Sequence, residues 1–222
     1  MIIAIDGPAG SGKTTIGRMV ADALGFALVD TGLFYRAVTV EARRRGIAAD
    51  DVSGLTRMLD EMRIEINTSP SAGRAGPLLS IDHRDVSREA HDPSIAAELS
   101  RISGISEVRQ RLIEPQRGSA RGNAVILGRD IGTVIFPDAD FKFFFTAPAA
   151  ERVARRRREL DQARGSATPD ALVEQEVEAR DRADQERKVA PLRPATDAII
   201  VATEGKSVGQ VFDEVMARLP KH

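Results

Sequence analysis

Cysteine and tryptophan are both missing from the 222 residues, and aromatic residues make up 4% of the chain. Without cysteine there are no disulfides, no thiolate metal sites and no cysteine nucleophile. Eight phenylalanines and one tyrosine are thin material for a surface that stacks single-stranded bases. An excess of one charge is missing as well. The 32 basic and 33 acidic side chains leave −1 with histidine neutral, whereas proteins that bind nucleic acid by bulk charge are strongly basic. No stretch approaches the roughly 20 apolar residues of a membrane span. Residues 1–6 have neither the basic flank nor the length of a signal peptide. These absences point to a cytoplasmic protein with no membrane or nucleic-acid partner, and a monomer is expected.

What remains is ample for folding. Hydrophobic residues are 42% of the chain, too many for a disordered protein. At about 150 residues per domain, the length suggests one large domain or one domain with an insertion. Only five of the basic residues are lysine and 27 are arginine. Arginine offers a planar, two-pronged donor suited to phosphate and carboxylate. Alanine is also abundant, so composition accounts for the bias as a whole, and particular arginines need their own argument.

Residues 2–5 read as a short buried strand that stops at Asp6-Gly7-Pro8. A helix over 14–24 closed by Gly25, a strand over 26–30 and a helix over 33–45 closed by Gly46 follow. Strands that are apolar throughout, alternating with helices, mark an α/β protein with a covered parallel sheet. The pattern then changes. A helix over 55–62, an alternating strand over 63–67, a Ser/Gly/Pro loop over 68–77 and a strand over 78–82 suggest a small antiparallel hairpin within an inserted subdomain, residues 37–100. Asp92-Pro93 reads as an N-cap with Pro at N1, opening a helix to about residue 104, with another reaching Pro115 or beyond. Apolar strands return at 124–128 and 141–145. A charged helix over 150–160 carries Arg155 to Arg158 in a row, a polar turn spans 161–168, and Pro169 opens a long helix to about 188. The last core strand is 197–201, and Ser207 caps a terminal helix to 219.

Gly7-Pro8-Ala9-Gly10-Ser11-Gly12-Lys13-Thr14 fits G-x-x-x-x-G-K-[ST] at every position, directly after a strand and opening a helix. Glycines let the backbone wrap a phosphate and aim its N–H groups inward, and the helix N-terminus adds partial positive charge. Lys13 then reaches the β- and γ-phosphates of a nucleoside triphosphate, and the Thr14 hydroxyl ligates Mg²⁺.

A kinase needs an acceptor site as well. Thr31, Gly32, Tyr35 and Arg36 stand at the C-terminal tip of the second strand, where ligands bind in open α/β sheets. Arg129 and Asp130 stand at the tip of the third apolar strand. Asp130 and Asp30 are rival carboxylates for supporting Mg²⁺. Arg180, Asp184 and Arg187 are spaced i, i+4, i+7 and share one face of the long helix, which also fits a solvated, salt-bridged helix. The arginine run 155–158 points all round its helix and fits a phosphate-covering lid or a nucleic-acid patch.

Taken together, these segments resemble bacterial cytidylate kinase over nearly the whole chain. The resemblance rests on Ile5-Asp6-Gly7-Pro8, on Asp30-Thr31-Gly32 with Tyr35-Arg36, on residues 128–138 from Gly128-Arg129-Asp130 to Phe136-Pro137-Asp138, and on Arg187-Lys188-Val189-Ala190-Pro191-Leu192. It implies ATP-dependent phosphorylation of CMP and dCMP. It also implies three parts: a P-loop core with a five-stranded parallel sheet (1–36 and 101–222), an acceptor-nucleotide subdomain (37–100), and a helical lid at about 153–187. By resemblance, Thr31, Arg36 and Arg129 hold the CMP phosphate, and Tyr35 and Asp184 contact the sugar side. Ser100, Arg109, Asp130 and Arg187 read the cytosine edge, and Arg180 reaches the transferring phosphoryl. Relatives often carry Ser where this chain has Thr31. They also often have Gly-Thr after the motif lysine where this chain has Thr14-Thr15, so Thr15 can share the magnesium-side role. Adenylate or shikimate kinases, and a P-loop ATPase that binds nucleic acid, are the competing classes.

Overall fold

The computed structural model describes residues 1–68, 78–164 and 169–220. In chain order the elements are β1 (Ile2–Asp6), α1 (Lys13–Leu24), β2 (Ala27–Asp30), α2 (Gly32–Arg45), α3 (Val52–Glu61), β3 (Ile64–Asn67), β4 (Leu78–Ile81) and β5 (Arg84–Asp85). There follow α4 (Ser87–Ala90), α5 (Ala96–Ile102), α6 (Ser106–Ser119), β6 (Ala124–Gly128), β7 (Phe141–Thr146), α7 (Ala149–Arg164), α8 (Asp170–Gln185), β8 (Ile199–Ala202) and α9 (Val208–Met216). A short 3₁₀ turn, Pro93–Ile95, precedes α5, and a single π-helical turn, Ile131–Ile135, follows β6.

Five parallel strands form one sheet in the order β2-β6-β1-β7-β8. Strand side chains alternate between faces, and both faces here are apolar. Ile3 and Ile5 of β1, Val125 and Leu127 of β6, and Phe143 and Phe145 of β7 pack under α1 (Ile16, Val20) and α9 (Val211, Val215). Ala4, Ala124 and Ile126 face the other way, against Val29, Ile131 and Ile135. That double burial is why β1 and β6 read as unbroken apolar runs. Gly25 and Gly46 end α1 and α2 in the left-handed conformation, each N–H turning back to the last helical carbonyls.

The second sheet, β3-β4-β5, is antiparallel. Its third strand is not predicted from the sequence. It is two residues long, and the turn before it uses Asp82 (φ 48°) and His83 (φ 67°) in positive φ without the glycine that signals such hairpins. Other boundaries shift for local reasons. The Asp51 carboxylate caps α3 at the Gly54 N–H, so that helix starts earlier. Asp92 caps a 3₁₀ turn that leads into α5. Helix α7 runs on to Arg164, four residues past the predicted end. Residues 69–77 of the predicted Ser/Gly/Pro loop and 165–168 of the predicted polar turn lie outside the described residues. Among the described residues no helix is long and apolar enough to cross a membrane.

Ser207 and Gln210 close a reciprocal capping box at the start of α9. Ser207→Ala is expected to cost about 1 kcal/mol of unfolding free energy, measured by urea denaturation. Turnover should be unchanged, because the capping box bonds only within its own turn and touches none of the predicted site residues.

Candidate active site

Strand β1 and helix α1 are joined by residues 7–12, at the C-terminal edge of the central strand. A Cβ on Gly7 (φ 148°) would lie 2.4 Å from the Phe145 carbonyl oxygen, and one on Gly10 (φ 71°) 2.9 Å from that of Arg152. Both positions demand glycine for backbone and for space. No side chain caps α1 at Gly12, so its first amides are left to an anion. The Lys13 ammonium folds back over the loop, donating to the Pro8 carbonyl at 2.7 Å and the Ser11 hydroxyl at 3.4 Å. Burial, and then Arg129, lowers its pKa well below the ordinary lysine value, with Asp30, Asp6 and Asp184 pulling the other way. Anionic phosphate in the loop would favour its charged form. Thr14 and Thr15 are exposed on the first turn of α1. Helix α7 backs the loop, with Arg152 donating to the Ala9 carbonyl (3.4 Å) and Arg155 to that of Gly10 (3.3 Å).

The arginine run thus disperses. Arg155 also reaches Thr203, Arg156 pairs with Glu176 of α8, Arg157 with Asp170, and Arg158 donates to the Ala154 carbonyl. It stitches the α7–α8 hairpin together and docks it on the phosphate loop.

The tips of β2 and β6 carry the second set of groups. The Thr31 hydroxyl, fully buried, donates to the Leu127 carbonyl at 2.8 Å and fastens the start of α2 to β6. Arg36 donates to the Ala90 carbonyl at 2.6 Å, and burial lowers its pKa. Arg129 donates through Nε to Asp184 Oδ2 at 2.9 Å. Arg187 meets Asp184 Oδ1 at 2.5 Å, and Arg180 stands 3.7 Å from Oδ2. Asp184 is 2% exposed. Burial pushes its carboxyl up, but Arg129, Arg180 and Arg187 outweigh this and hold it below the usual carboxylate range. Arg180 itself drops to about 10, from burial and from the repulsion of Arg129, Arg187 and Arg36, against the pull of Asp184. Its Nε is buried with no hydrogen-bond acceptor.

Beside this group lies a second buried pair. Arg109 on α6 donates to Asp130 Oδ2 at 2.5 Å and to the Ser103 carbonyl at 3.0 Å, with its guanidinium 5.2 Å from the centre of the Tyr35 ring. Burial raises the Tyr35 phenol pKa, against Arg109. Ser100 sits on α5, three residues before Ser103. The structure therefore gathers Arg129, Arg180, Asp184 and Arg187 around one carboxylate, and Tyr35, Arg109 and Asp130 around another. Lys13 and Arg36 lie within their electrostatic reach. Thr14 and Thr15 make no contact with either group.

Among the described residues, Lys13, Arg36, Arg109, Arg129, Arg180 and Arg187 stand with the carboxylates Asp6, Asp30, Asp130 and Asp184, and Arg156 and Glu176 also lie within electrostatic reach of Arg36. A buried cluster with surplus positive charge, next to a phosphate loop, is built for anionic ligands. The family model described as Cytidylate kinase matches residues 3–221. The chain belongs to the cytidylate kinase family. It is 39% identical to the cytidylate kinase of Symbiobacterium thermophilum, over 97% of this chain and 94% of that protein. Identity to the cytidylate kinase of Carboxydothermus hydrogenoformans is 42%, over 99% and 95%. A bifunctional pantoate ligase/cytidylate kinase of Synechococcus elongatus is 42% identical over 97% of this chain, which spans 41% of that longer protein.

In this member of the cytidylate kinase family, Asp6, Arg117, Arg152 and Arg155 join the residues that the sequence singles out. Asp6 accepts from the Ile131 and Gly132 amides, both at 2.8 Å. Burial lifts its carboxyl from 3.8 to about 6, against those amides and Lys13, with Asp130 adding repulsion. Its signal was in view: a carboxylate ending a buried apolar strand has to be held by something.

Two outcomes follow. Asp184→Asn leaves three arginines without their shared counter-charge and should cost about 3 kcal/mol. Added sulfate should raise its Tm by several degrees more than it raises the parent's; equal shifts would speak against an anion-starved cluster. For Asp6, the native state binds its proton more tightly than the unfolded chain. Its contribution therefore lowers stability as pH rises from about 4 to about 6. Unfolding curves across that window should show this slope in the parent and lack it in Asp6→Asn.

Proposed function

We propose that the chain transfers the γ-phosphoryl group of ATP to CMP and dCMP, yielding ADP with CDP or dCDP. The observation that carries this reading is the convergence of Arg129, Arg180 and Arg187 on Asp184, facing the Lys13 loop, in a chain of the cytidylate kinase family. The loop, residues 7–15, takes the donor phosphates. Arg36, Arg129 and Thr31 take the acceptor phosphate, the Thr31 hydroxyl turning from the Leu127 carbonyl. Tyr35 and Asp184 lie toward the sugar, and Ser100, Arg109, Asp130 and Arg187 toward the base.

An acceptor phosphate oxygen forms the new bond to Pγ as the bond from Pγ to the β-bridging oxygen breaks, and ADP leaves with that electron pair. The acceptor is already anionic, so no strong base is needed. Positioning and charge neutralisation by Lys13, Arg129 and Arg180 carry the rate. The surplus of cations provides that neutralisation before substrate arrives, so little reorganisation is left for the chemical step. Residues 1–36 and 101–222 serve as core and 37–100 as acceptor subdomain. The region of about 153–187 acts as a lid that excludes water and suppresses hydrolysis. The protein works as a cytoplasmic monomer.

The donor set fits magnesium. Thr14 offers an exposed hydroxyl. Asp130 and Asp184 are taken by arginines and Asp6 by amides, whereas Asp30 bonds the Gly32 amide through Oδ1 and forms no ion pair among the described residues. No cluster of three or more His, Cys, Asp or Glu gathers among those residues. That suits a cation that keeps waters and leans on one or two carboxylates plus substrate phosphates. Thr14 and Asp30, with Thr15 beside them, would hold it, and when bound it neutralises the β- and γ-phosphates.

In an ADP-release assay with ATP, CMP and dCMP should turn over well ahead of UMP, AMP, dTMP and shikimate. Equal use of AMP or shikimate would move the chain to another acceptor class. Lys13→Ala should abolish turnover. Arg129→Ala should raise the CMP KM about 10-fold or more and lower kcat, with the ATP KM less affected.

A further inference from the structure

The π-helical turn Ile131–Ile135 is gripped at both ends by side chains that the reaction does not use. At its start, Asp6 accepts from the Ile131 and Gly132 amides at 2.8 Å each. At its end, Arg117 of α6 donates through Nε to the Ile135 carbonyl at 2.8 Å and through Nη2 to that of Val134 at 3.1 Å. The turn's own bonds run from the Val134 and Ile135 amides back to the Asp130 carbonyl, and from the Phe136 amide to that of Ile131. Asp130 is thus part of the turn, and Arg129 precedes it. Whatever fixes the turn also fixes the guanidinium on Asp184 and the carboxylate on Arg109.

Asp6 reaches in the other direction too. It pairs with Gly128 in the β1–β6 register and immediately precedes Gly7. One side chain therefore joins the root of the phosphate loop to the loop that carries Arg129 and Asp130. As a fastener it is expensive. It is almost wholly buried and forms no ion pair among the described residues. The charged groups around it are Lys13 of α1, Asp130 after β6, and Lys142 of β7. The Lys142 stem lies along Gly132 while its ammonium is spent on Asp197 at 2.7 Å. A neutral residue would fold more comfortably here. A charge kept at such cost, with both oxygens on adjacent amides, fits a requirement of position rather than of stability.

We propose that Asp6 and Arg117 are a positioning pair: they set where the Arg129–Asp130 segment stands relative to the phosphate loop, and so govern capture and alignment of the acceptor nucleotide without touching either substrate. The inference rests on the reading of the chain as a CMP kinase.

Its test is steady-state kinetics of the parent, Asp6→Asn and Arg117→Met, with ATP and CMP varied separately and Tm measured for each. Asn retains one acceptor oxygen and turns an NH₂ toward the other amide. Arg117 is exposed on α6, so Arg117→Met leaves the core intact. In both variants the CMP KM should rise and kcat fall, together costing about 10-fold or more in kcat/KM for CMP. The ATP KM of Arg117→Met should stay near the parent's, and the Tm of Asp6→Asn at pH 8 should not fall. A split of this kind, lost acceptor kinetics with stability kept, is not what a merely structural residue gives. An active parent with both variants at parental CMP kinetics overturns the inference and leaves the proposed function standing. A parent inactive with CMP overturns both. If Asp6→Asn fails to fold, Arg117→Met alone decides by the same acceptor-side readout.

Discussion

Asp184 is one carboxylate, out of contact with water, that answers three guanidinium groups: Arg129 from the loop after β6, Arg180 from its own helix, and Arg187 from the segment just past the end of that helix. Buried charges survive only in company, and this pairing organises much of what surrounds it. It ties the α7–α8 hairpin to the sheet, because Arg129 belongs to the core and Asp184 to α8. It orders the chain beyond α8 as well, since the Leu192 amide bonds back to the Asp184 carbonyl at 2.8 Å. It also keeps the arginines fixed in place while leaving them short of negative charge. Arg180 shows the shortage most directly, with an unmet Nε and a pKa lowered to about 10.

The rest of the site follows from the sheet. Parallel strands place their C-terminal ends on one edge, and loops at that edge are where an open α/β fold binds ligands. Strand β1 contributes the glycine loop and the first amides of α1, β2 contributes Asp30 and Thr31, and β6 contributes Arg129 and Asp130. The loops after β1 and β6 leave adjacent strands, so their separation is set by the hydrogen-bonded register of those strands. Asp6 bonds across to the π-helical turn, and Arg152 and Arg155 hold the hairpin against the glycine loop.

Much of this was legible in the sequence wherever a physical demand falls on residue type. Gly7, Gly10 and Gly12 all have positive φ, and a backbone that needs positive φ leaves glycine behind as a mark. Strands β1 and β6, buried on both faces, leave runs of Ile, Val and Leu. The spacing of Arg180 and Asp184 showed a shared helical face, but not that the face turns inward toward Arg129 rather than out to water, nor that α8 ends at Gln185 and Arg187 reaches Asp184 from beyond the helix. What was not legible lacks such a mark. The two-residue β5 follows a positive-φ turn built from Asp82 and His83. The π-helical turn has no periodicity to read. Asp6 is held by amides 125 and 126 residues away, and a main-chain partner has no side-chain signature. Of the two strand-tip carboxylates Asp30 and Asp130, the sequence does not show that Arg109 takes Asp130.

If the cation surplus receives the acceptor's phosphate, nucleotide affinity must depend on that phosphate. Calorimetric titration with CMP and with cytidine, at low and high salt, addresses it most directly. CMP should bind about 100-fold more tightly than cytidine, with the difference shrinking as salt rises. Equal affinities, indifferent to salt, would contradict it.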